Sequence, residues 1–321
     1  MNNTEPSATT MRAWVIEAYG EPMRIMDLPV PKPGPRDLLI RMRGAEVGRW
    51  DEMLRTGACT TDRPFPLCLG LGGAGTVDAV GTSVRGFAEN DTVYVCGYPL
   101  HDNGAWAEYM LVPEAYAAPA PAGLDPVRAG AVPVAAMIAH ETLRDLLDVQ
   151  PDDLVLITAA SGGVGHFAVQ IAAHCGARVV ATTSRDNRDF VSALGATMVV
   201  DYDASNLGLA IQARFPEGVN KALNLKAVGS GTGDQVAQIL CEGGHMVDLT
   251  GTVSVDRPAV QIDSDYMVRG DGARLLAIAH MIDDALLDVH IHGTLPFERA
   301  PEALEMVLAG QVRGKVVLDM T

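Results

Sequence analysis

The run from Val155 to Gly165, Val-Leu-Ile-Thr-Ala-Ala-Ser-Gly-Gly-Val-Gly, constrains the fold of this 321-residue chain more than any other segment. An apolar stretch ends in small residues and glycines, and Val164, Ala168, Ile171 and Cys175 then recur at spacings of four, three and four. That pattern predicts a buried strand, a tight turn and an amphipathic helix. Gly176 stands where a helix C-cap is expected, and residues 178–183 read as a second strand. The turn itself reads Ala160-x-Gly162-x-x-Gly165, a relaxed dinucleotide fingerprint. Gly162 would let the backbone approach a pyrophosphate, and Gly165 would let helix and strand pack closely. The N–H groups of the new helix would then face the phosphates. The alternative is a tight turn in an α/β protein that binds no dinucleotide.

The residues that follow bear on the choice. About twenty positions past the turn, where an NAD-binding chain carries Asp or Glu for the ribose hydroxyls, stand Ser184 and Arg185. A hydroxyl and a guanidinium suit a 2′-phosphate, with Arg188 as a second candidate cation. An ordinary solvated surface Arg is the alternative at position 185.

Composition narrows the classes. A chain of this length with 48% hydrophobic residues can bury a large core and suggests two domains. A net charge of −16 argues against nucleic acid and anionic membranes as partners, although not against a locally bound anionic cofactor. No apolar run approaches the length of a membrane span. Residues 1–10 are polar and lack an apolar signal core, so they read as a disordered leader in a cytoplasmic protein. The five cysteines, at 59, 68, 96, 175 and 241, form no C-x-x-C pair, which suggests reduced thiols and no structural zinc. His290-x-His292 is either a metal pair or, as preferred here, a strand with exposed histidines.

Residues 11–120 carry short β-like runs, among them 38–42, 75–80 and 92–95, with Pro29, Pro31, Pro33 and Pro35 marking an extended loop. From about 122 the pattern alternates, with candidate parallel strands at 154–158, 178–183, 197–201, 220–224 and 246–250 and helical patterns at 190–194 and 235–240. This is the doubly wound α/β signature. A helix over 300–308 and a strand over 315–318 close the chain.

Several segments then fit one family in order: Asp51-Glu52-Met53-Leu54-Arg55-Thr56-Gly57, Pro64-Phe65-Pro66 with Leu69-Gly70, Gly73-Ala74-Gly75-Thr76-Val77 with Val80-Gly81, and Gly104 to Tyr109. The glycine turn, Ala193-Leu194-Gly195-Ala196 with Asp201-Tyr202, and Arg313-Gly314-Lys315-Val316-Val317-Leu318 complete the set. From Met11 onward the chain resembles the medium-chain dehydrogenase/reductase superfamily, in its zinc-independent quinone oxidoreductase-like branch. The resemblance implies a GroES-like β-rich substrate domain over 1–121 and 289–321, and a Rossmann domain with a doubly wound parallel sheet over 122–288. It also implies NADP(H) as cofactor, reduction of an electron-poor C=C or a quinone, a hydrophobic small-molecule acceptor, and a homodimer. Cofactor contacts are expected from Ala160, Ser161, Gly162, Gly163, Val164, Gly165, Ser184, Arg185, Tyr202 and Thr250. Where zinc-binding relatives carry Cys and a His-Glu pair, this chain has Val47 or Gly48 and Leu71-Gly72, so no metal is expected.

Departures gather in the substrate half. Gly48 replaces a common Asn, Cys59 replaces a common Tyr, Ile138-Ala139-His140 replaces a Thr-Ala taken to open the linking helix, and Asn224-Leu225-Lys226 replaces Asp-Thr. The losses of bulk at 48 and 59 predict a roomier acceptor pocket. Trp50, Asp51 and Cys59 are candidate substrate contacts, and Asp51, Cys59 and His140 are candidate catalytic groups. Each has a structural alternative: Trp50 as core, Asp51 as a helix-start carboxylate, Cys59 as an inert thiol, and His140 as a capped histidine at a helix start. Lys226 is either an enolate-stabilising cation or a solvated loop lysine. Two other functions fit the same residues: a biosynthetic tailoring enzyme performing carbonyl reduction or cyclisation, and a non-catalytic NADPH-binding protein.

Overall fold

A computed structural model describes residues 8–202, 207–226 and 232–321. The chain divides into two compact units, Met1–Met137 with Val268–Ala285 and Val289–Thr321, and Ile138–Met267 with Leu286–Asp288.

The first unit opens with strands β1 (Thr10–Ile16), β2 (Arg24–Pro29) and β3 (Asp37–Val47), helix α1 (Arg49–Thr56), and strands β4 (Leu67–Cys68), β5 (Gly72–Val80), β6 (Thr92–Cys96), β7 (Tyr109–Pro113) and β8 (Ala117–Pro119). β1 starts inside the stretch read as a leader. Thr10 pairs with Pro29, and the Thr9 carbonyl accepts the Val30 N–H at 3.1 Å. Burial of Met11, Ala13 and Val15 along the strand provides the drive. Residues 1–7 lie outside the described ones. Two helices follow, α2 (Pro126–Ala129) and α3 (Pro133–Glu141). Proline is tolerated in the first turn of a helix, so α3 begins at Pro133. His140 therefore lies in its last turn, a correction to the placement at a helix start.

The second unit holds β9 (Leu154–Ile157), α4 (Gly165–His174), β10 (Arg178–Thr183), α5 (Arg188–Ala193), β11 (Met198–Asp201), α6 (Leu207–Gln212), β12 (Val219–Asn224), α7 (Thr232–Ile239), β13 (Leu240–Asp248) and β14 (Gln261–Asp263). Its six strands pair in parallel in the order β11-β10-β9-β12-β13-β14. Strands buried on both faces read as continuous apolar runs, as Leu154 to Ile157 does. Leu156, Val180, Ala222 and Met246 form one side of the core. β13 starts at Leu240 rather than near 246 and ends at Asp248, which leaves Thr250 beyond the strand. The short edge strand β14 gave no periodic signal. The strand order reverses beside β9, and in open α/β sheets ligands bind at the carboxyl ends of the strands at that point.

The chain then supplies α8 (Gly272–Asp283), β15 (Ile291–Pro296), α9 (Ala300–Leu308) and β16 (Lys315–Asp319) to the first unit. The sequence pattern drew 122–288 as one body, yet α8 packs on β8 and the Tyr94 hydroxyl donates to the Leu275 carbonyl. The larger sheet of this unit runs β15-β16-β3-β5-β6-β8, with β7 also paired to β3. β16 lies antiparallel to β3, with Val316 opposite Val47 and Val317 opposite Glu46. Among the described residues no helix is long and apolar enough to cross a membrane.

Candidate functional site

The glycine turn sits at the carboxyl end of β9. Ala159 takes a positive φ of 49°, the Gly162 N–H donates to its carbonyl at 3.0 Å, and the Ala160 N–H donates to the Thr182 carbonyl at 2.9 Å. A Cβ on Gly165 would lie 2.3 Å from the Ala159 oxygen and 2.8 Å from the Ala160 Cα, so only glycine lets α4 start this close to the strand. In the first turn of α4 the His166 and Ala168 N–H groups donate to the Gly162 and Val164 carbonyls, each at 3.0 Å, and a helix start of this kind suits an anion at the turn ahead of it.

Beside the turn lies a polar cluster that the sequence showed only in part. The Thr183 hydroxyl donates to Ser161 Oγ at 2.9 Å, and Asn187 Nδ2 reaches Ser161 Oγ at 3.3 Å and Ser184 Oγ at 3.0 Å. Ser161 and Ser184, 23 positions apart in the chain, thus share one amide. Thr183 and Asn187 were missed. Their signal was position, because the last residue of a parallel strand and the turn after it face the ligand edge. Arg185 is exposed, and its Nε lies 3.7 Å from Asp201 Oδ2. Tyr202 follows Asp201, is 40% exposed, and carries the Lys226 ammonium 3.3 Å from the centre of its ring.

A second network occupies the carboxyl ends of β9, β12 and β13. The buried Thr158 hydroxyl donates to Asn224 Oδ1 at 2.7 Å, and Asn224 Nδ2 donates to Asp248 Oδ1 at 2.9 Å and to Thr250 Oγ1 at 3.1 Å. Asp248 also accepts from the Thr250 hydroxyl at 2.6 Å and the Thr252 N–H at 3.0 Å. Thr158 Oγ1 in turn accepts the N–H groups of Leu225 and Lys226 at 2.8 and 3.2 Å. The atypical Asn224 is thus the link between three strand ends. Thr250 is tied into it from beyond β13.

The first unit holds Trp50, Asp51 and Cys59, whereas His140 belongs to the second. Asp51 is fully buried, and its Oδ2 accepts the Gly48 N–H at 2.8 Å, which caps the start of α1. Burial drives its carboxyl well above the usual carboxylate range, against the Gly48 N–H and with the neighbouring Glu46 adding to the rise. A Cβ at position 48 would fall 2.2 Å from Trp50 Cε2, so the indole fills the volume that a larger residue would occupy. Cys59 Sγ lies 3.5 Å from the Tyr98 hydroxyl. The expected gain of room therefore fails at 48, where Trp50 has moved in. At 59 a phenol from another strand end stands against the thiol. The Cys59 hydrogen bond, followed by burial, pushes the Tyr98 phenol up to about 12, with Arg269 opposing. Sequence reasoning missed Tyr98 because only folding brings residues 39 positions apart into contact.

Residues 34–122 match the alcohol dehydrogenase GroES-like domain, and residues 194–318 match a zinc-binding dehydrogenase model. A crystal structure of an NAD-dependent alcohol dehydrogenase is 30% identical, with a TM-score of 0.85 over 96% of this chain and 99% of that one. The quinone oxidoreductase from Coxiella burnetii is 25% identical, with a TM-score of 0.86 over 97% of this chain and 99% of that one. An NADPH-dependent alkenal/one oxidoreductase of Arabidopsis thaliana chloroplasts is 28% identical over 96% of this chain and 79% of its own length.

Proposed function

Because the chain belongs to the medium-chain dehydrogenase/reductase family, in its quinone oxidoreductase-like branch, we propose that it is an NADPH-dependent reductase of an electron-poor C=C or a quinone. One observation carries the phosphate-bearing cofactor. At the end of β10, where a ribose-binding acid would stand, Asn187 bonds both Ser184 and the Ser161 hydroxyl of the glycine turn, and the exposed Arg185 follows Ser184 in the chain. Three hydroxyl or amide groups and a guanidinium offer donors to a 2′-phosphate. The close approach of Gly165 to Ala159 and Ala160 brings the start of α4 against the strand end, where a pyrophosphate would meet it, so the residues fit a dinucleotide.

A bound reduced nicotinamide supplies a hydride to the acceptor. The chain's own part is to bind and orient. Amides of the turn at the α4 start would hold the phosphates, and the Thr158–Asn224–Asp248–Thr250 network fixes the carboxyl ends of β9, β12 and β13. Asp51, buried and committed to its helix cap, acts as a positioning group for α1 rather than as a base. The reading takes the enzyme as metal-free, since Val47, Gly48, Leu71 and Gly72 offer no ligand side chains. It also takes it as a cytoplasmic homodimer with a hydrophobic acceptor. The altered positions 48 and 59 favour a second reading, a tailoring reductase acting on an unusual carbonyl or enone.

The test is consumption of NADPH and NADH by the purified protein against a panel of enones, quinones and aldehydes, with and without chelator. NADPH-selective, chelator-resistant reduction of enones or quinones is expected. Turnover of aldehydes alone would move the assignment to the second reading. No turnover with tight NADPH binding would make it a binding protein.

A further inference from the structure

Asn187 ends the single helical turn Arg185–Asn187 that follows β10. Its backbone N–H donates to the Ser184 carbonyl at 3.0 Å, which brings residue 187 back beside the strand end. There its Nδ2 reaches two hydroxyl oxygens, Ser184 Oγ at 3.0 Å and Ser161 Oγ of the glycine turn at 3.3 Å. An amide nitrogen has two hydrogens, so both are spent on the serines. Ser161 Oγ also accepts the hydroxyl of the buried Thr183 at 2.9 Å. A hydroxyl carries two lone pairs and one hydrogen. At Ser161 both lone pairs are filled from inside the protein, which leaves its hydrogen for a ligand. Ser184 accepts one bond and keeps its hydrogen too. Among the described residues neither serine hydroxyl donates to a protein group. Both serines are only partly buried, so these hydrogens lie within reach of a ligand.

We propose that Asn187 is a positioning residue that sets cofactor choice: by donating to Ser161 and Ser184 it turns both hydroxyls outward as donors, and the pair then selects a 2′-phosphate over a ribose 2′-hydroxyl. This rests on the reading of the site as an NADPH site. A phosphate dianion presents acceptor oxygens only, and the two serines present hydrogens to it. A ribose hydroxyl has a hydrogen of its own to place, and Ser161 has no lone pair left to take it. An acid at the end of β10 would do the reverse and accept from the ribose hydroxyls. Charge alone discriminates less here. Arg185 is 88% exposed and lies 3.7 Å from Asp201, so solvent and a carboxylate both screen it. The serine hydrogens are instead aimed by groups seated in regular structure, Thr183 in β10 and Asn187 in the turn after it.

The test is titration of the full chain with NADPH, NADH, 2′-AMP and 5′-AMP, with thermal melting of each variant alongside. The variants are Asn187→Leu, Asn187→Asp, the double Ser161→Ala with Ser184→Ala, and that double combined with Asn187→Leu. Asn187→Leu should weaken NADPH and 2′-AMP by about fivefold or more, the scale of one hydrogen bond to a charged group. NADH and 5′-AMP should change by less than about twofold. Asn187→Asp keeps the shape but puts acceptors where the donors were, and should abolish the preference for NADPH. In the chain that lacks both serine hydroxyls, Asn187→Leu should cost less than about twofold, because its effect passes through them. A full-sized effect in that background would make the amide a phosphate contact in its own right and overturn the positioning role. Equal weakening of NADPH and NADH by Asn187→Leu would overturn it as well, and so would a folded Asn187→Asp that keeps the preference. A wild type that prefers NADPH while a folded Asn187→Leu is unaltered fails this inference alone, whereas a wild type without that preference fails the underlying reading as well.

Discussion

Lys315 Nζ lies 2.8 Å from Glu46 Oε1, and both side chains are buried to 2% exposure or less. The pair joins the last strand to the longest one. Lys315 also donates to the Val47 carbonyl at 3.1 Å, and Glu46 accepts the Val134 and Ala135 N–H groups at 2.7 and 3.1 Å. One carboxylate thus ties β3, β16 and the start of α3 together. Burial pushes the Glu46 carboxyl up, while Lys315 and the two amides oppose that rise. Lys315→Met leaves a buried carboxyl without its cation, and chemical denaturation should show a loss of about 3–5 kcal/mol. The double variant Glu46→Leu with Lys315→Met should recover part of it. A loss under about 1 kcal/mol in the single variant would show that the pair contributes little.

Asp51 gives a pH signature. Its folded pKa is raised, chiefly by burial, so the protonated form is the one the fold favours. The stability it contributes is present below the unfolded carboxylate pKa and is lost as pH rises through the raised folded value. The wild type's melting temperature should therefore carry a component that falls as pH rises above about 4, and Asp51→Asn should remove that component. The Asn oxygen can still accept the Gly48 N–H. A constant offset between the two proteins as pH rises would contradict the raised carboxyl.

Gly165→Ala tests the turn. The added Cβ would meet the Ala159 carbonyl oxygen at 2.3 Å, which is backbone and cannot swing away. Dinucleotide binding should fall by at least about tenfold while the chain stays folded, with a stability cost of about 1–3 kcal/mol. Isothermal titration together with far-ultraviolet circular dichroism reads both. Unaltered NADPH affinity would mean that the turn does not hold the cofactor.

The Cys59–Tyr98 contact gives a spectroscopic test. With the phenol pushed up to about 12, chiefly by the thiol, Tyr98 should titrate after the ordinary tyrosines in an alkaline ultraviolet titration, and buried Tyr94, pushed up further by burial, later still. Tyr98→Phe should remove the Tyr98 component, and Cys59→Ala should shift it toward the ordinary range near 10. For turnover, Cys59→Ala should lower kcat by less than about 10²-fold, below what loss of a general acid costs. A larger drop with NADPH affinity intact would make the thiol the proton donor.

Much of this was legible in the chain. The apolar strand ending in Gly162, Gly163 and Gly165, the alternating elements from 154 to 248, and the closing strand at Lys315 follow from period and turn chemistry, which are local. The leader was misjudged at Thr10, because a strand that buries Met11, Ala13 and Val15 against other segments shows only a short signal of its own. His140 was placed at the wrong end of its helix because Pro133, a permitted first residue, was not read as the start.

The sequence by itself determined the strand–turn–helix that a dinucleotide needs and the absence of an acid at the end of β10, since these depend on neighbours in the chain. Only the tertiary structure decided that Trp50 fills the space over Gly48, that Tyr98 meets Cys59, that Asn224 joins three strand ends, and that the Lys226 ammonium sits against the Tyr202 ring. The physical reason is range. Backbone preference and hydrophobic period act over a few residues, whereas side-chain contacts and buried charges depend on which strands the fold sets side by side.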